Sequence, residues 1–166
     1  DSIRAGAGND LVQGGAGNDW INGAGLEDTL NGDGGQDTIS GGGGADEITG
    51  GGGNDQLTGG DGADTFIFDL SDGTDTITDF TWMDSLIIQG EASTKNWFGG
   101  IFGSLGNLFS NSESDIDIIT DAIENASGDT ITFGNTQLTL TGVDTSRLEV
   151  LNSTTSNGSI EIEIGF

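Results

Sequence analysis

Apolar residues recur once in nine along the first 66 positions: Ile3, Val12, Ile21, Leu30, Ile39, Ile48, Leu57 and Phe66. That spacing cannot cover a helix face, which needs three or four apolar residues per two turns. It suits a short strand with one inward side chain between two outward ones. The segments between strands are rich in Gly, as in Gly41-Gly42-Gly43-Gly44-Ala45-Asp46. Gly admits positive φ and close backbone approach, so these segments predict turns. Two strand–turn units close one coil of a solenoid, which makes the structural period twice nine residues. The apolar positions then form two facing columns: Ile3, Ile21, Ile39 and Leu57 against Val12, Leu30, Ile48 and Phe66.

A second ruler runs beside the first. Asp1, Asp10, Asp19, Asp28, Asp37, Asp46, Asp55 and Asp64 fall at strict nine-residue intervals. The solenoid period sorts them into two ladders, Asp1, Asp19, Asp37, Asp55 and Asp10, Asp28, Asp46, Asp64. Stacked carboxylates repel unless cations lie between them. Calcium suits such a place because it takes six to eight oxygens, backbone carbonyls included, in flexible geometry. The chain has neither Cys nor His, which argues against zinc-type and soft-metal sites.

The clearest copies of the full frame are Gly41-Gly42-Gly43-Gly44-Ala45-Asp46-Glu47-Ile48-Thr49 and Gly50-Gly51-Gly52-Gly53-Asn54-Asp55-Gln56-Leu57-Thr58. They follow the pattern G-G-x-G-x-D-x-U-x, with U apolar. Over residues 1–80 the chain resembles the RTX, or hemolysin-type, calcium-binding repeat family. The resemblance implies an all-β fold, a parallel β-roll solenoid of nonapeptide repeats, and a protein secreted from Gram-negative bacteria by the type I route. It is similar to the family also where the array ends, at Gly62-Ala63-Asp64-Thr65-Phe66 and Asp75-Thr76-Ile77-Thr78-Asp79-Phe80. There Asp75 follows Asp64 by 11 residues. This reads as a two-residue insertion, with Asp75 closing a last site above Asp55. The expected metal ligands are therefore Asp1, Asp10, Asp19, Asp28, Asp37, Asp46, Asp55, Asp64 and Asp75, holding about six calcium ions.

Charge makes metal part of folding. The chain carries 28 acidic against 3 basic residues, a formal charge of −25. Self-repulsion of that size opposes compaction, and six divalent ions would cancel about half of it. Without calcium the few apolar residues of the repeats do not offset the chain entropy, and a disordered tract is expected. Extracellular calcium modules bind at about 10⁻⁴–10⁻³ M, so such sites stay empty in the cytosol and fill outside. The expected location is extracellular or at the cell surface. No signal peptide and no transmembrane run is visible, and the start in mid-repeat at Asp1 reads as a piece of a longer protein.

The repeats are uneven. Leu26 stands where neighbouring repeats have Gly, and its β-carbon is expected to distort the turn before Asp28. Asp33 and Asp61 are extra acids; they read as solvated side chains, with a metal ligand as the alternative. Asn9, Asn18 and Asn54 precede the ladder Asp and are expected to support their turns through local hydrogen bonds.

Residues 81–166 read as a second region, a C-terminal β-rich cap carrying one or two short helices and the secretion signal. Leu86-Ile87-Ile88, 130–133, 137–141 and 159–164 suit strands. Residues 114–126 suit a helix, with Ile116, Ile119, Ile123 and Ala126 on one side. Asn96–Phe109 has an apolar face at helical spacing and reads as a helix packed over the end of the roll, with a partner-binding helix as the alternative. A solenoid needs such a cover because an open end exposes strand edges and core. The segment 128–150 resembles the C-terminal capping and secretion regions of RTX proteins.

No catalytic constellation is visible. The absence of His, Cys and Tyr removes most nucleophile and acid–base schemes. The fragment is expected to be non-catalytic, although the family resemblance allows an enzyme as the parent protein. Nucleic acid and stable membrane insertion are disfavoured by the charge. A polysaccharide partner has thin support, because only Arg4, Lys95 and Arg147 are basic. The expected function is a calcium-binding module that folds on export, with the type I secretion machinery as a partner. The alternative is a C-terminal adhesin or carbohydrate-binding module.

Overall fold

A computed structural model describes residues 1–69, 71–91, 130–133, 136–143, 149–156 and 159–165. They form two seven-stranded sheets lying face to face. The first contains β1 (Ser2–Ala7), β3 (Trp20–Gly25), β5 (Thr38–Gly43), β7 (Gln56–Asp61), β9 (Thr74–Ile77), β12 (Thr136–Leu140) and β11 (Thr130–Phe133), in that spatial order. The second runs β2 (Leu11–Ala16), β4 (Thr29–Gly34), β6 (Glu47–Thr49), β8 (Thr65–Asp69), β10 (Ser85–Glu91), β14 (Ser159–Gly165) and β13 (Glu149–Ser156). The chain alternates between the sheets, so each pair of strands makes one coil of a parallel solenoid of about five turns.

The register confirms the period. Ile3 pairs with Ile21, Ile21 with Ile39 and Ile39 with Leu57, while Val12 pairs with Leu30, Leu30 with Ile48 and Ile48 with Phe66. Leu57 then pairs with Ile77 and Phe66 with Leu86, so the insertion after Asp64 is absorbed inside one coil. The two columns meet as the core, with Ile21, Ile39, Ile48 and Leu86 fully buried. Above Asp64, β8, β10 and β12 add a second inward apolar residue, Phe66 with Phe68, Leu86 with Ile88 and Leu138 with Leu140, and the core widens. The Phe66 and Phe80 rings lie 6.0 Å apart.

Pairing does not stop at the three-residue strands the apolar pattern predicts. It continues around the corner, with Gly15 in register with Asp33 and Gly42 with Gly60. The turns therefore stack as tightly as the strands do.

The last strands change direction. Pairing is parallel up to β10 and β12, and then β14 and β11 run antiparallel to them. Strands were expected at β10, β11, β12 and β14; β13 was not. The helices expected over 96–109 and 114–126 lie outside the described residues. Among the described residues there is no helix, and none long and apolar enough to cross a membrane.

The turns line two edges of the solenoid. Edge one carries the turns ending at Asp19, Asp37, Asp55 and Asp75. Edge two carries those ending at Asp10, Asp28, Asp46, Asp64 and Asp84.

Candidate metal centre

Each ladder carboxylate reaches toward the coil before it. On edge one Asp37 Oδ1 accepts the Asp19 N–H at 2.7 Å, Asp55 accepts from Asp37 at 2.8 Å, and Asp75 accepts from Asp55 at 3.0 Å. On edge two Asp28 accepts from Asp10 at 2.8 Å, Asp46 from Asp28 at 2.9 Å and Asp64 from Asp46 at 3.0 Å. The two ladders are those expected from the spacing. Asp75 sits above Asp55, on the far side of the insertion.

The second oxygen of these groups is different. Oδ2 of Asp10, Asp19, Asp28, Asp37, Asp46, Asp55 and Asp64 is buried without a hydrogen-bond partner. A buried, unsatisfied carboxylate oxygen is costly unless a cation or proton meets it. Burial accordingly raises the pKa of Asp37, Asp46 and Asp55 above the ordinary 3.8, against the lowering effect of the backbone hydrogen bond. It lifts Asp64 to about 6 and Asp75 to about 7, with neighbouring carboxylates adding to the effect.

Glycine makes room beside that oxygen. A β-carbon at Gly41 would stand 2.7 Å from the Gly59 carbonyl oxygen and closer still to Asp46 Oδ2. Gly14 faces Asp19 Oδ2 and the Gly32 carbonyl in the same way, Gly23 faces Asp28 and Gly41, and Gly32 faces Asp37 and Gly50. Each place offers a carboxylate oxygen and a carbonyl oxygen from the next coil. These are the hard oxygen donors that calcium prefers. The residues present fit calcium. Among the described residues no cluster of three or more His, Cys, Asp or Glu side chains is arranged for a metal, so backbone carbonyls must complete any ligand set.

The expected site residues are not equivalent. Asp19, Asp28, Asp37, Asp46, Asp55, Asp64 and Asp75 are buried. Asp1 is exposed, and it is its nitrogen that pairs with the Asp19 carboxylate. Asp10 is half-buried, and Ala5 stands where the turns ending at Asp19 to Asp64 have the space-making Gly.

Two acids escaped the sequence reading. Asp84 continues the edge-two ladder, with Oδ1 accepting the Asp64 N–H at 2.9 Å. Its Oδ2 is held by the Thr81 N–H at 2.7 Å and the Thr81 hydroxyl at 3.0 Å. Asp79 accepts from the Gly59 and Gly60 N–H groups, both at 2.9 Å. The signal for Asp84 was present: it lies nine residues after Asp75 and is followed two positions later by Leu86.

The uneven repeats differ from expectation in part. Leu26 takes a left-handed φ of 74°, where Gly at the same place in the other repeats takes 107–150°, yet Asp28 keeps both ladder bonds. The Asn side chains do not bond locally but between coils. Asn18 Oδ1 accepts the Gln36 N–H and Asn54 Oδ1 the Thr74 N–H, both at 3.0 Å, and Asn9 donates to the Glu27 carboxylate at 3.3 Å.

Parallel coils, a glycine-lined turn and a stacked row of half-satisfied carboxylates define a metal-binding β-roll. Residues 1–30, 31–66 and 40–77 match the family described as RTX calcium-binding nonapeptide repeat (4 copies). The repeats of this chain belong to that family, and they form a calcium-binding β-roll module. Comparison with curated proteins gives no match.

Proposed function

We propose that Asp19, Asp28, Asp37, Asp46, Asp55 and Asp64 are the principal calcium ligands and that the ions complete the fold when the protein reaches calcium-rich surroundings. The observation that carries this reading is the row of buried Oδ2 atoms with no partner. Those of Asp19, Asp28, Asp37, Asp46, Asp55 and Asp64 each lie against a Gly whose missing β-carbon would otherwise crowd the oxygen: Gly14, Gly23, Gly32, Gly41, Gly50 and Gly59. These cradles support about six ions. Asp1 and Asp10, in the lowest coil, and Asp75, beneath the buried Leu138 with which it is in register, are the outer members of the same ladders.

Calcium supplies positive charge between stacked carboxylates and a rigid link between turns. The chain's own residues do the rest. The Asp Oδ1 atoms fix the coil spacing, the carbonyls aim inward, and the apolar columns exclude water. Ordering and metal uptake become one event, because the metal-free roll keeps unpaired acids in its interior. A module of millimolar affinity is loose inside the cell and sets outside it, which suits a secreted or surface protein exported by the type I route. In this reading residues 1–80 are the calcium roll, and residues 81–166 cap it and carry the export signal.

Asp46→Ala tests the ligand assignment. It removes one carboxylate from the middle of edge two. Calorimetric titration with calcium is expected to show fewer bound ions and a higher folding midpoint. An unchanged titration refutes the assignment.

A further inference from the structure

The two edges differ in the residue that precedes each ladder Asp. On edge one it is Asn18, Gln36, Asn54 and Thr74. Asn18 reaches up to the Gln36 N–H and Asn54 to the Thr74 N–H, each at 3.0 Å. The ladder carboxylates beside them reach the other way, Asp37 down to Asp19 and Asp75 down to Asp55. The rungs Asp19/Asp37 and Asp55/Asp75 are therefore strutted twice, in opposite directions. On edge two the residue before the ladder Asp adds no such strut, and only the last rung, Asp64/Asp84, is braced a second time, by Asp79 on the Gly59 and Gly60 N–H groups. Ala45 and Ala63 have no group to offer, and Asn9 meets only the side chain of Glu27.

Edge two also holds the more strained turn. Ala24 and Leu26 both occupy left-handed backbone there, which L-residues with a β-carbon resist. The one such residue on edge one is Asp33, a type that tolerates this region, and its N–H is held by Asn31 Oδ1 at 2.9 Å.

We propose that the two rows of calcium sites are of two classes, that edge one is the tighter row, and that Asn18 and Asn54 are its positioning residues. The inference rests on the reading that the ladders hold calcium. An ion between two turns must hold them at a fixed separation against carboxylate repulsion. Where a second strut already fixes that separation, binding spends less on ordering and the affinity rises. Edge one fills first as calcium increases, and edge two follows.

The test uses the full chain and calcium alone, followed by titration calorimetry and by amide hydrogen exchange. Wild type is expected to show two affinity classes. Asn54→Ala is expected to weaken one tight site by about two- to tenfold, the span of a single neutral hydrogen bond, and to leave the weak class in place. Exchange at the Thr74 amide is expected to quicken with it. Ala45→Asn is the converse variant: it offers the Ala63 N–H a strut and moves one edge-two site toward the tight class. A single affinity class in wild type overturns the proposal while leaving calcium binding intact. So does Asn54→Ala weakening both classes alike, the mark of a general loss of stability, or Ala45→Asn leaving both affinities unchanged. A wild-type chain that takes up no calcium at millimolar concentration overturns the ligand reading and this one with it.

Discussion

Asp84 accepts the backbone N–H of Asp64 from twenty residues away, at 2.9 Å, and closes the edge-two ladder without an unsatisfied oxygen. Every carboxylate below it on that edge has an Oδ2 atom in search of a partner. Asp84 instead gives that oxygen to Thr81, in the exposed turn that carries Trp82 and Met83. The ladder thus ends in hydrogen bonds that need no metal.

This arrangement separates stability from stoichiometry. Asp84→Ala leaves the buried Asp64 N–H without its acceptor and frees the Thr81 turn. The expected cost is about 1–3 kcal/mol, the usual penalty for an orphaned buried group. Thermal unfolding in saturating calcium is expected to move to lower temperature while the number of bound ions stays the same. Loss of an ion would show that Asp84 is itself a ligand.

Leu26 offers a test in the stabilising direction. Its side chain is 61% exposed, so little packing is lost with it. Its φ of 74° is one that Gly adopts freely, whereas an L-residue there costs about 1–2 kcal/mol. Part of that relief is offset by the greater freedom of Gly in the unfolded chain. Leu26→Gly is expected to stabilise the calcium-loaded roll by about 0.5–1 kcal/mol, read from denaturant midpoints. Destabilisation would mean that the leucine makes a contact worth more than the strain.

Protonation is the other way to meet the unpaired oxygens, and its sign is fixed by the ladder. In the metal-free roll burial lifts Asp64 to about 6 and Asp75 to about 7, from an ordinary 3.8. The folded chain then binds more protons than the unfolded chain between these values. The contribution of these groups to stability is fully present below pH 3.8 and is lost as pH rises through 6 and 7. In chelator, circular dichroism is expected to show more β structure at pH 5 than at pH 8. Calcium, which needs the ionised groups, is expected to release protons on binding and to bind less well as pH falls through the same window. A metal-free spectrum independent of pH across that range would contradict the burial of these carboxylates.

The roll was legible because it is written in two simple rulers. One apolar residue and one Asp in every nine residues give the strand, the coil, both columns and both ladders. Legibility failed where the third dimension decides. Asp84 keeps the ruler, but the insertion between Asp64 and Asp75 breaks the count before it. The Asn18 and Asn54 bonds join residues a full coil apart, and they follow only once the stacking of turns is known. Leu26 looked like a fault because the frame asks for Gly, yet the stacked neighbours hold the backbone in place. Strand β13, in the polar run Glu149–Ser156, lacks apolar alternation and is a strand through its pairing with β14.

Far-UV circular dichroism across a calcium titration, with magnesium as the control, tests the central claim most directly. The account predicts little β signal in chelator at neutral pH and a cooperative gain between about 0.1 mM and a few mM Ca²⁺, with no such gain from magnesium. A full β spectrum in excess chelator, unchanged by calcium, would contradict it.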